Sequence, residues 1–321
     1  MSPVPSAPPV SSEVIHHAIE TLRGRWAAVL TGAGISTDSG IPDYRGEGAP
    51  KAHPMTYQKF MESHRHRQRY WLGSHLGWGN FARATPNQGH TAIATAEASS
   101  AFSGVVTQNV DALHHKAGSL RVVDLHGRLD KVRCVHCGQS FTRGAIADTI
   151  DRLNPWIAAT NLDGHVRPDG DVDVTVTDEF VVPSCDMCEG VLKPEVIFFG
   201  EFVPPSVFDQ AASILSRSDA LIVAGSSLVV NTGMRLVSAA HKRKIPIVII
   251  NRGPTKADRM ATVRIEGGTS ETLGAIVEGL GLQRIPECPK EPDDTLFSCA
   301  PRRDGMESPP QDSGRQRHSA Q

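Results

Sequence analysis

Residues 107–137, TQNVDALHHKAGSLRVVDLHGRLDKVRCVHC, place a polar turn, a lone histidine and a metal-type cysteine pair within thirty-one positions. The turn and the histidine each follow an apolar run of strand character. Gly104–Thr107 ends in Gln108, Asn109, Val110 and Asp111, and Arg121–Leu125 ends in His126 and Gly127. In an open α/β sheet, ligands bind just beyond the carboxyl ends of the strands. Chemistry rather than packing is therefore the first reading of Asn109, Asp111 and His126.

The same arrangement recurs on either side of this stretch. WAAVL at 26–30 opens into TGAGIS at 31–36, ALIVA at 220–224 into GSS at 225–227, and IPIVII at 245–250 into NRG at 251–253. Near-continuous apolar runs suit parallel strands buried on both faces. Five such strands, each discharging small or polar residues at one end, build one crevice. The expected fold is α/β, with a Rossmann-like doubly wound parallel sheet. A packing-only reading has to treat all five endings as ordinary loops.

Composition narrows the function classes. Apolar residues make up 39% and aromatics 5% of 321 residues, enough for one large or two modest α/β domains. With 33 basic and 35 acidic groups the net charge is −2, so neither nucleic acid nor a membrane surface is an expected partner. No apolar stretch approaches the ~20 residues that span a bilayer. The N-terminal MSPVPSAPPVSS lacks the pattern of a targeting peptide. A disordered leader over 1–12 and a cytoplasmic location are expected. The tail, 285–321, is rich in Pro, Ser and charge and is expected to be disordered. Cys288 and Cys299 within it have no paired spacing and read as free thiols.

Cys134 and Cys137, and then Cys185 and Cys188, form two C-x-x-C knuckles. Each tight turn can supply two of the four thiolates of a tetrahedral zinc site. The 47 residues between the pairs exceed a compact zinc ribbon and read as a loop-rich excursion. Disulfides are disfavoured without a secretion signal, and a redox dithiol needs only one pair. One structural zinc is expected. Four thiolates leave no open position, which argues against a zinc hydrolase.

Gly32, Ala33, Gly34, Ile35 and Ser36 begin like a dinucleotide fingerprint, with Thr37 where the third glycine belongs. Glycines let backbone N–H groups approach a pyrophosphate, and Ser36 and Ser39 add hydroxyls. Arg45 supplies a permanent charge and Tyr44 an aromatic surface. No Gly-Lys-Ser/Thr follows, so this is not a P-loop. No acidic residue ends a second strand about 20 positions on, which counts against a dehydrogenase.

In order, GAGISTDSGIPDYRG (32–46), PNQGH (86–90), TQNVDALH (107–114), LHG (125–127), both cysteine pairs, FFGE (198–201), GSSLVV (225–230) and NRG (251–253) make the chain resemble the sirtuin family of NAD-dependent protein deacylases. The resemblance runs over about Val14–Leu282. RQRYW at 67–71, VTQNVDALHHKAG, LKPEVIFFGE and NRGPTKAD look most like the class II branch, which includes a mitochondrial member with lipoamidase and ADP-ribosyltransferase activities; the resemblance is to a bacterial member of it.

The resemblance implies a catalytic domain over 13–284. Its large Rossmann-like part would take 13–46, 85–128 and 195–284. Its small part would be a helical insertion, 47–84, and a zinc module, 129–194. NAD would be co-substrate. Gly32, Ala33, Gly34, Ile35 and Ser36 would cradle the pyrophosphate, with Asp43, Tyr44 and Arg45 over the nicotinamide ribose. Gln108, Asn109 and Asp111 would line the nicotinamide pocket, and Asn109 would join the catalytic group. Gly225, Ser226 and Ser227 would hold phosphate and ribose, with Asn251, Arg252 and Gly253 at the adenosine end. His126 would be the general base. Phe199, Gly200 and Glu201, a strand in this reading, and the segment Val229, Val230, Asn231 and Thr232 would pin the acyl-lysine substrate by strand addition. Products would be nicotinamide, free lysine and 2′-O-acyl-ADP-ribose, made by a monomer. Mono-ADP-ribosyl transfer on the same NAD site is the alternative. A more remote one is an inactive NAD-binding scaffold, which the presence of Asn109, Asp111 and His126 disfavours. His114 and His115 read as packed or solvated neighbours, and the stretch His64–His75 as a solvated helical face.

Overall fold

The computed structural model describes residues 10–44, 54–159, 167–172, 174 and 178–282. Arg45, the leader up to residue 9 and the tail beyond 282, with Cys288 and Cys299, lie outside them. A six-stranded parallel sheet contains β1 (Ala27–Thr31), β2 (Phe102–Thr107), β3 (Val122–Asp124), β7 (Ala220–Ala224), β8 (Ile247–Asn251) and β9 (Val263–Glu266). A three-stranded antiparallel sheet contains β4 (Gly127–Cys134), β5 (Ser140–Thr142) and β6 (Leu192–Val196). The helices are α1 (Ser12–Leu22), α2 (Tyr57–Glu62), α3 (His64–Arg83), α4 (Gln88–Ala98), α5 (Leu113–Lys116), α6 (Arg143–Leu153), α7 (Pro205–Ser216), α8 (Asn231–Lys242) and α9 (Thr269–Gly279).

The large sheet runs β3-β2-β1-β7-β8-β9, which is the doubly wound order with its reversal between β1 and β7. Both strands are buried along their whole length. Alternate residues of β1 feed opposite cores. Ala27 and Val29 pack with α1, α4 and α9, whereas Ala28 and Leu30 pack with α7 and α8. Burial on both faces explains why these strands read as unbroken apolar runs rather than alternating ones.

The third core belongs to the small sheet and to α2, α3 and α6, around Phe60, Tyr70, Trp71, Leu129, Val132 and Ile150. Tyr70 meets Phe198 edge-on at 5.0 Å. The chain passes from one sheet to the other through Leu125 and His126, between Asp124 of β3 and Gly127 of β4. The return path is tied to the same point, because Ile197 N–H donates to the His126 carbonyl at 2.8 Å.

Local details depart from the sequence expectations. No strand forms at Phe199–Glu201; Phe199 makes one isolated parallel bridge to Thr56, and the strand before it is β6. Two prolines, Pro204 and Pro205, lie just beyond, and Gly200 turns the chain with φ 85°. The His64–His75 face is not uniformly solvated. The His75 ring is buried to 9% exposure and meets Asp151 at 2.9 Å. Among the described residues no helix is long and apolar enough to cross a membrane.

Candidate active site

The carboxyl ends of β1, β2, β7, β8 and β9 open on one cleft of about 1590 Å³, which continues between the two sheets. Gly32, Ala33, Gly34, Ser36, Asp43, Tyr44, Gln108, Asn109, Asp111 and His126 line it. So do Phe199, Gly200, Glu201, Gly225, Ser226, Ser227, Val229, Val230, Asn251, Arg252 and Gly253. Two expected contacts fall elsewhere. The Ile35 side chain is fully buried in the core under β1, because the 3₁₀ turn Ala33–Ile35 rotates it inward. Asn231, the first residue of α8, faces a neighbouring groove.

The glycine loops are built back to back. A Cβ on Gly34 would lie 2.9 Å from Gly225 Cα, and one on Gly32 2.7 Å from the Gly225 carbonyl. Any side chain there would push apart the two loops that follow β1 and β7. Bare backbone at that point suits a pyrophosphate, so the residues present fit a dinucleotide. Asn87 caps α4 and also donates to the Ile35 carbonyl at 2.7 Å and to Ser39 Oγ at 3.0 Å. Thr269 donates to the Gly34 carbonyl at 3.2 Å.

Asp111, Ser36 and Asn109 form a buried polar cluster beneath the loop. Ser36 Oγ donates to Asp111 Oδ2 at 2.7 Å, and Asn109 Nδ2 donates to Ser36 Oγ at 3.0 Å and to the Gly32 carbonyl at 3.1 Å. Burial pushes the Asp111 carboxyl up, and hydrogen bonds from Leu113 N–H, Ser36 and Asn109 pull it back. Below them, His114 is buried, bonded to Thr31 Oγ1 at 2.9 Å and packed at a tilt against the His90 ring, 4.8 Å between centroids. His115 pairs with Asp124.

His126 is held at both ring nitrogens. Nδ1 lies 2.9 Å from the Gln108 carbonyl and Nε2 lies 2.9 Å from Thr232 Oγ1. A carbonyl only accepts, so Nδ1 carries the proton and Nε2 keeps its lone pair toward the cleft. Burial lowers the pKa of the ring, with the Gln108 bond opposing it. Gln108 is itself fixed by Nε2–H bonds to Ser226 Oγ at 2.8 Å and the Thr31 carbonyl at 3.3 Å. One glutamine thus couples the loops after β1, β2 and β7 to the ring.

Opposite rims carry exposed apolar side chains: Phe199 and Phe202 on one, Val229 and Val230 on the other. The Glu201 carboxylate is engaged in its own turn, accepting from Phe198 N–H at 2.6 Å and pairing with Lys193 at 3.0 Å. On the other rim, Lys256 Nζ donates to the Val229 carbonyl at 2.8 Å.

The four cysteine sulfurs lie within 4.8 Å of one another. Cys134 and Cys188 are 3.5 Å apart, and Cys137 and Cys185 3.7 Å. Zn–S bonds of about 2.3 Å require tetrahedral S···S edges of roughly 3.8 Å. The thiols are therefore positioned to bind a zinc ion. Val135 N–H donates to the Val191 carbonyl at 2.9 Å, stitching one knuckle to the other.

Residues 32–232 match the Sir2 family model, which is most of the described chain. The chain belongs to the Sir2, or sirtuin, family. NAD-dependent protein deacetylase 1 of Mycobacterium avium is 48% identical over 265 residues, covering 82% of this chain and 94% of that protein. A protein of the same name from Streptomyces coelicolor is 43% identical over 287 residues, 88% of this chain and 95% of its own. Among solved structures, a Sir2–p53 peptide–NAD+ complex superposes with TM-score 0.67 at 28% identity, over 84% of this chain and 99% of its own. In this sirtuin Thr232, Asn87 and Thr269 support the site through hydroxyl or amide bonds to His126, Ile35 and Gly34. Asn87 falls within PNQGH and Thr232 within the expected substrate segment, whereas no motif announces Thr269.

Proposed function

We propose that this sirtuin is an NAD-dependent protein lysine deacetylase, acting on acyl-lysine side chains of protein substrates. The carrying observation is the His126 ring, held at both nitrogens by Gln108 and Thr232 in the same cleft as the glycine loops. The relatives' names support deacetylation over mono-ADP-ribosyl transfer. Incubating the protein with an acetyl-lysine peptide and NAD tests the reading by mass detection. O-acetyl-ADP-ribose and free lysine peptide are expected; ADP-ribosylated protein without them would reverse the ranking.

Bound NAD supplies an electrophilic ribose carbon as nicotinamide leaves. Asn109, Ser36 and Asp111 shape the polar pocket that would receive the nicotinamide amide. The Phe199 and Val229 rims would align the peptide as an added strand, leaving the acyl-lysine to enter between the sheets. Positioning of this kind replaces a bimolecular encounter by an oriented one. His126 Nε2 would take a proton from a ribose hydroxyl, and the Gln108 carbonyl would steady the imidazolium through Nδ1–H. Thr232 would yield its bond to Nε2 as that hydroxyl arrives.

A pH profile follows from the burial of His126. The ring must be neutral to accept a proton, so activity rises with pH through its pKa. That pKa lies below the ordinary histidine value of about 6.5. The acid limb of kcat/KM is therefore expected below pH ~6.5, with a plateau across neutrality. A midpoint at or above 7 contradicts the buried-base assignment.

Acyl charge is expected to matter. Tyr70 lines the cleft, and the sirtuin resemblance implies that a preference for acidic acyl chains would use an arginine three residues on to pair with the carboxylate. That position is Gly73, where a Cβ would collide with Asp171 Oδ1. Arg69 is paired with Asp171 at 2.5 Å, and Arg67 donates to the Phe60 and Met61 carbonyls. The nearby cleft-lining residue Asp169 is a carboxyl, pushed up by burial. Leaving a substrate carboxylate unpaired costs several kcal/mol, so succinyl-lysine should fall about a hundredfold below acetyl-lysine in kcat/KM. Uncharged longer chains, octanoyl or lipoyl, should not suffer this loss. Succinyl emerging fastest on one peptide scaffold would overturn the reading.

A further inference from the structure

Beside the cleft lies a second groove, of about 630 Å³, between α7 and α8. Its floor is apolar, from Phe208, Leu215, Met234 and Ala239. Arg235 lines this groove and the cleft alike, so the two adjoin at this residue. Its guanidinium lies 3.8 Å over the Phe208 ring. Among the described residues no carboxylate pairs with Arg235, and no acidic side chain lines the groove. Lys242 stands at the far end and is exposed. Arg243 contributes wall rather than a reader, because its guanidinium is engaged by the Leu215 and Ser218 carbonyls.

Geometry relates these cations to the reacting centre. Thr232, the partner of the His126 ring, begins the same helix face one turn before Arg235. At ~1.5 Å per residue, Arg235 lies about 5 Å and Lys242 about 15 Å beyond Thr232 along α8. An extended peptide advances ~3.3 Å per residue. A chain that left the cleft along α8, starting level with Thr232, would thus pass Arg235 within about two residues of the acyl-lysine and Lys242 within about five. An uncompensated guanidinium already flattened on an aromatic ring is a low-entropy partner for a carboxylate.

We infer that the α7–α8 groove is a flanking-sequence subsite that takes acidic residues of the protein substrate two to five positions from the acyl-lysine, with Arg235 as the near reader and Lys242 as the far one. It rests on the deacetylase reading for its substrate. Its sign is opposite to that of the acyl pocket, where negative charge is rejected. Since both cations are exposed, the preference is electrostatic and fades as salt shortens the range of the interaction.

Acetyl-lysine peptides carrying glutamate or lysine at positions two to five, on either side, test this with the full-length protein. At low salt the glutamate peptides are expected to be favoured about three- to fivefold in kcat/KM, mostly through KM, the effect of one exposed ion pair. Arg235→Glu should invert the preference, and Lys242→Glu should reduce it at the outer positions only. Equal turnover of both peptide sets at low salt, or an unchanged ratio in both variants, overturns the subsite. A chain that turns over no acyl-lysine peptide would sink the deacetylase reading instead. Anisotropy of the labelled peptides would still report the groove, with the same glutamate preference expected and its absence counting against the subsite.

Discussion

His126→Ala should leave the fold, the zinc content and NAD binding near wild type while turnover of acetyl-lysine peptide falls about 10²–10⁴-fold, the usual loss for a general base. The ring is bonded through Nδ1 to the Gln108 carbonyl and through Nε2 to Thr232, and its own backbone carbonyl, which alanine retains, anchors Ile197. Circular dichroism and a nucleotide-binding titration separate loss of the base from loss of structure. Thr232→Val is a graded comparison. It removes only the hydroxyl that orients Nε2, so its loss should be far smaller than that of the alanine variant. A His126→Ala protein that binds NAD and turns over within a few-fold of wild type means the proton goes elsewhere.

The strand endings that define this cleft are legible in the sequence because each element near the sheet's reversal is buried on both faces. Burial of that kind leaves an unbroken apolar run followed abruptly by small or polar residues, as at Leu30–Gly32 and Ala224–Ser226. β9 lacks that signature for the opposite reason. It is an edge strand, Val-Arg-Ile-Glu, with two buried positions alternating with more accessible ones. Its end nevertheless brings Gly267, Gly268 and Thr269 to the cleft.

Side-chain direction sets another limit. Ile35 sits within a ligand-type loop, yet a 3₁₀ turn rotates it into the core. Asn231 and Thr232 are neighbours in a segment expected to bind substrate, but the helix starting at Asn231 sends one to each groove. The α3 histidines are equally ambiguous. Whether His75 is solvated depends on Asp151 of α6, which is 76 positions away. Contacts of that range have no local signature.

Replacing Cys134 or Cys185 by serine is expected to be more damaging than any substitution in the cleft, and the damage should fall on folding rather than chemistry. Both residues are buried, and each knuckle is closed by its own backbone bonds, Gly138 N–H to Cys134 and Glu189 N–H to Cys185. Between them the chain makes a 47-residue excursion carrying β5, α6 and the turn that packs against Gly73 and Gly77 of α3. Zinc would join the two ends of that excursion, and structural zinc binding is worth about 10–16 kcal/mol at neutral pH in zinc-finger peptides, as large as the whole net stability of a typical domain. Serine is a poor zinc ligand, so either variant should be insoluble or melt far below wild type, and a chelator should reproduce the effect on the native protein. Metal analysis should find one zinc per chain. The distinction from a catalytic metal is temporal: activity should fall together with the unfolding signal rather than ahead of it. Well-folded, active protein without zinc would mean that the four thiols hold their positions by packing alone, which their S···S separations make hard to sustain.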